Sequence, residues 1–153
     1  MPLLSALLIA LTVTQAMPGA EFAAHATQLQ TPVQERLETA RRLPAQSAPV
    51  LAENDVVMLG LSELSRKAMR LSLSMETRGG PEDLRCIYRG MAQDALDHQL
   101  ALAAAELRAD RITIYSDIEY LLDHATEMGR FADMDEIAPF TGVDPGCPRG
   151  PLL

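Results

Sequence analysis

The tripeptide Leu-Asp-His occurs twice, as Leu96-Asp97-His98 and Leu122-Asp123-His124, on two neighbouring helical segments. If those segments run antiparallel about a turn near residue 109, residue 98 faces roughly residue 120, and residue 124 faces roughly residue 94. His98, His124 and Asp94 then fall within about one helical turn, on the order of 5 Å along the axis. Imidazole and carboxylate donors suit zinc or copper. The chain lacks the Glu-x-x-His pair of carboxylate-bridged di-iron bundles. A buried His98 bonded to a carboxylate or to Tyr120 satisfies the same pattern without a metal. His25, near the N-terminus, carries no chemical argument.

The cysteines are the second candidate chemistry. Cys86 and Cys147 are the only two, and they do not form the Cys-x-x-Cys arrangement that tunes redox reactivity. In an oxidising compartment they are expected to pair. That bond closes a loop of about 60 residues, for which the chain-entropy estimate is roughly 4 kcal/mol. The antiparallel register brings Cys86 level with the end of the last helix, near Arg130, so a returning tail can deliver Cys147 to it. Met75, Met91 and Met128 fall on apolar helix faces, where methionine fills core gaps, and the methionines do not form a copper-binding cluster. No nucleophile elbow, phosphate loop, zinc-protease helix or haem-attachment motif is present. The expected protein is therefore not an enzyme.

Helical segments must position these residues. Thr31, Pro32 and Gln34 predict a short helix over 32–43, with Val33, Leu37 and Ala40 on one face, followed by a Pro-containing linker to residue 53. Asn54 or Asp55 caps a second helix, whose stripe Val57, Leu61, Leu64, Ala68, Leu71 and Met75 has spacings of 4, 3, 4, 3 and 4. Gly79-Gly80 ends it. Pro81, Glu82 and Asp83 open a third helix with the stripe Leu84, Tyr88, Met91, Ala95, His98, Leu102 and Ala105, widened by Ile87 and Leu96. Gly90 predicts a close helix contact. Asp110 caps a fourth helix carrying Ile114, Ile118, Leu121, Ala125 and Met128, which fades at Gly129.

Composition agrees with helices packed on helices. The chain has 153 residues, 48% hydrophobic but only 4% aromatic, with no tryptophan. Its net charge of −8 argues against nucleic acid or an anionic membrane surface as the main partner. Residues 1–16 read as a signal peptide: Leu3 to Val13 form an apolar run too short to span a bilayer, and Thr14 and Ala16 occupy the −3 and −1 positions of a cleavage site. Cleavage as late as Ala26 is the alternative.

The expected organisation is a signal peptide (1–16), a short helix and linker (17–53), a helical core (54–130) and a Pro/Gly-rich tail (131–153). The expected fold is an all-α antiparallel bundle: a helical hairpin plus one long and one short helix, with the irregular tail tied by the Cys86–Cys147 disulfide. The expected function is that of a non-enzymatic periplasmic or secreted interaction protein with an unknown protein partner. No stable membrane insertion is expected after signal cleavage. The alternative is a metal-binding bundle using His98 and His124.

Overall fold

The Asp55 carboxylate accepts from the Val57 and Met58 N–H groups at 2.9 and 3.3 Å, supplying partners that the first turn of a helix lacks. In the computed structural model, which describes residues 18–52, 54–133 and 147, the helix it caps is α2, Val56–Thr77. Arg36 donates to the other carboxylate oxygen at 2.6 Å. At the far end Gly79 takes φ +66°. Gly80 N–H returns to Met75 O at 2.8 Å and Gly79 N–H to Glu76 O at 3.2 Å, the Schellman closure that the Gly-Gly pair predicts. All six residues of the α2 stripe are buried.

Helix α3 spans Glu82–Ala104, with Glu82 and Asp83 in its first turn. Helix α4 spans Arg108–Ala132. It starts ahead of Asp110, which lies in the first turn, where its charge complements the dipole rather than capping the helix. It also continues past Gly129, because that glycine is a packing residue and not a helix end.

The largest departure concerns the first helix. In place of a short segment over 32–43, α1 runs Pro18–Arg42, 25 residues, with Pro32 inside it. Phe22, Ala26, Leu29, Val33, Leu37 and Ala40 form one buried face that continues through the proline. A proline inside a helix removes one hydrogen bond and costs roughly 3 kcal/mol. Burial of Leu29 and Val33 on either side contributes about 2 kcal/mol each and offsets that cost.

The helices form an antiparallel bundle, with no strand among the described residues. α1 packs most extensively on α4 and α2 on α3, while the α1–α2 and α3–α4 sides are narrower. Cross-helix bonds show the register: Gln30 to Asp123 (2.9 Å) for α1–α4, and Ser65 Oγ to Ala92 O (2.8 Å) for α2–α3. α1 and α4 meet through Gly19 and Gly129. A Cβ on Gly129 would stand 2.7 Å from both Gly19 O and Ala23 Cβ. Gly60 makes room for Leu29 in the same way, whereas nothing lies within 4 Å of a Cβ placed on Gly90. The close contact expected at Gly90 is therefore absent, because that residue faces outward.

Polar contacts close both ends of the bundle. The Asp133 carboxylate accepts from Gly19 and Ala20 N–H at 2.9 and 2.7 Å, so the end of α4 caps the start of α1. At the opposite end Arg108 donates to Leu43 O (2.8 Å) and Arg111 to Pro49 O (3.0 Å), holding the interhelical linker against α4. α1 is thus a core helix, not an arm. Cys86 and Cys147 form the expected disulfide, with Cα atoms 5.1 Å apart. The segment expected to be a signal peptide and the rest of the tail beyond Asp133, Met134 included, lie outside the described residues.

Candidate functional site

The α3–α4 register follows from Tyr88, whose hydroxyl donates to Met128 O at 2.7 Å. His98 is half-buried on α3, on the same face as Ala101 and Ala105. Asp94 lies one turn before it. Partial burial raises the Asp94 pKa, the positive potential of His98 opposes that rise, and Asp97 adds to it. His124 is exposed on α4, and its ring lies tilted against Tyr120 with centroids 4.4 Å apart. The Tyr120 hydroxyl and His124 Nε2 are 3.5 Å apart. Tyr120 therefore partners His124 and not His98.

Among the described residues, no group of three or more His, Cys, Asp or Glu side chains is placed to hold a metal ion. His98, His124 and Asp94 share the right stretch of the bundle but are not assembled as a ligand set. His25 is better engaged than its sequence position suggests. Its Nε2 is 2.9 Å from Gly60 O, a link between α1 and α2 that only the full length of α1 makes possible. Next to the α3–α4 turn, Ala101, Ala104, Ala105, Asp110, Thr113 and Ile114 line a shallow open depression of about 380 Å³. Its polar side chains are one carboxylate and one hydroxyl.

The chain matches no family model, no curated protein and no solved structure. Its functional reading rests on its own surface.

That surface carries an apolar band on the outer side of α2 and α3. Leu59, Met69 and Leu73 lie on one side of α2, outside the buried stripe, with Ser62 and Arg66 between them. On α3 and the turn after it, Leu96, Leu100, Ala103 and Leu107 recur at spacings of 4, 3 and 4. Gln99 donates to Met58 O (3.1 Å) and Ser62 Oγ (2.7 Å), which sets Leu59 level with Leu100. Leu100 is 68% exposed and Leu59 55%. Leu96 and Ile87, expected to widen the core stripe, are each 39% exposed. A core stripe explains one apolar face per helix and leaves Leu59, Met69 and Leu73 of α2 and Leu96 and Leu100 of α3 outside it. No described helix is long and apolar enough to cross a membrane.

Proposed function

We propose that this protein is an exported, non-enzymatic binding protein that acts through protein–protein contact. The observation that carries this reading is the set of exposed apolar residues on the outer side of α2 and α3, with Leu100 68% and Leu59 55% exposed. Exposed apolar residues contiguous across two helices mark interaction surfaces more often than scattered single ones do. The acidic charge and the shallow, open depression give no comparable support to a catalytic reading.

Export to the periplasm or beyond is supported by the uncharged apolar segment ahead of Ala16 and by the disulfide. Cleavage after Ala16 is favoured over Ala26. The later cut would remove Gly19, Phe22 and Ala26 from the core and abolish the Asp133 cap on α1.

A photo-crosslinking residue at position 100, in the chain expressed in its native cells, tests the binding reading. Adducts are expected there and not from the same probe at the exposed Glu127 on α4. Adducts from neither position, or equally from both, would remove the α2–α3 face as a specific surface. N-terminal sequencing of the exported chain is expected to begin at Met17, and an unprocessed chain retained in the cytoplasm would contradict export.

A further inference from the structure

We infer that the α2–α3 face binds a second copy of this chain, related by a two-fold axis parallel to the helices, with α2 of each copy against α3 of the other. This rests on the reading of that face as the binding surface.

The face has the two properties an isologous contact requires: an apolar centre, and edges that complement each other. The centre is Leu59, Met69 and Leu73 of α2 with Leu96 and Leu100 of α3. The α3 stripe repeats at alternating spacings of 4 and 3, the pattern that packs one helix along another, and Leu59, Met69 and Leu73 lie on one side of α2 with Ser62 and Arg66 between them.

Near the middle of the helices the edges have opposite charge, while toward one end Glu76 of α2 and Arg89 of α3 pair with each other (3.8 Å) within one copy. On α2, Glu63 pairs with Arg66, Lys67 (3.6 Å) and Arg70 (3.6 Å), and Lys67 also reaches Glu21 of α1 (3.7 Å); three cations against two carboxylates leave that edge with surplus positive charge. On α3 Asp97 accepts from Gln93 at 2.8 Å and pairs with no cation among the described residues. Rotation about an axis parallel to the helices sets the α2 edge of one copy against the α3 edge of the other. It does so twice, by symmetry.

The axial level fits as well. The Ser65–Ala92 and Gln99–Ser62 bonds place Arg66 and Asp97 at nearby heights, so an arginine side chain spans the offset. Facing helices in this arrangement run antiparallel, as they do inside the bundle. The alternative axis, perpendicular to the helices, opposes α2 to α2 and sets Arg66 and Arg70 against their own copies.

Sedimentation equilibrium of the purified, disulfide-intact chain, from micromolar to sub-millimolar concentration, provides the test. A reversible dimer is expected. Leu100→Glu, at a position open enough to leave the fold intact, should raise its Kd by about tenfold or more. Asp97→Arg should also weaken it, and adding Arg66→Glu should restore it to within about threefold of the parent. A monomer at every concentration overturns the proposal, as does a dimer indifferent to Leu100→Glu. Loss with Leu100→Glu but no rescue by the charge swap overturns the α2-to-α3 arrangement. If the chain is monomeric but the probe at position 100 still captures another protein, self-association falls and the binding reading stands.

Discussion

Ser72 and Tyr88 are both fully buried polar residues, and they lead to opposite expectations. Among the described residues the Ser72 hydroxyl has no hydrogen-bond partner, so it loses its hydration without compensation. Ser72→Ala is expected to raise stability by up to about 1 kcal/mol in urea denaturation; a loss of that size would reveal a partner for the hydroxyl. Tyr88 donates to Met128 O, and its ring meets Phe22 edge-on with centroids 6.0 Å apart. Burial first, and the Asp133 carboxylate second, push its pKa up to about 12, while Arg78 opposes the rise. A phenol whose pKa is higher folded than unfolded contributes stability that is fully present below about pH 10 and is lost as the pH climbs toward 12. Tyr88→Phe should therefore start about 1 kcal/mol below the parent at pH 7. That gap should close between pH 10 and 12, as followed by circular dichroism in urea. A gap that stays constant would mean that Tyr88 ionises as readily in the folded bundle as in the unfolded chain. Sequence spacing alone indicates that Tyr88 is buried. It does not indicate what the hydroxyl meets, because that partner is a carbonyl on another helix.

At the scale of the helix, the glycines separate local preference from packing. Gly90 and Gly129 both lie inside helices, where glycine costs about 1 kcal/mol relative to alanine. A Cβ on Gly90 meets nothing, so Gly90→Ala is expected to stabilise by up to about 1 kcal/mol. On Gly129 the same methyl meets the α1 backbone, so Gly129→Ala should cost roughly 1–3 kcal/mol despite its better helix propensity. Melting temperatures of the two variants should move in opposite directions, and a shift in the same direction would refute the tight α1–α4 contact. The α2 boundaries were legible in the sequence because Asp55 and Gly79-Gly80 act on their own backbone. The start of α1 was not, because Thr31-Pro32 has the composition of a helix entrance. Its continuation depends on what Phe22, Ala26 and Leu29 bury against.

At the scale of the whole molecule, two features hold the chain together over long sequence distances. The disulfide joins residues 61 apart, and its reduction should lower stability by up to about 4 kcal/mol by the chain-entropy estimate. A urea midpoint that does not change under reducing conditions would show that the tail contributes nothing to the fold. Removing everything before Leu51 deletes α1, which supplies Phe22, Val33 and Leu37 to the core and most of the surface facing α4. That truncation should leave a molten or unfolded chain, seen as loss of cooperative melting; a cooperatively folded 51–153 fragment would restore the reading of α1 as a detachable arm. The metal reading also belongs at this scale. The register across the α3–α4 hairpin places Asp94, His98 and His124 in one stretch of the bundle, but His124 turns onto Tyr120 within its own helix.

The sequence by itself determined the helical class, the limits of α2 and its buried stripe, and the cysteine pairing. Each depends on spacing along one helix, on backbone chemistry at its ends, or on the register of one short turn. Only the tertiary structure decided that α1 is a full core helix, that Gly19, Gly60 and Gly129 are contact points while Gly90 is open, and that Leu96 and Ile87 face outward. The physical reason is that periodicity reports the phase of a helix about its own axis. Which apolar stripe is buried, and how closely two backbones approach, depends on the neighbour as well.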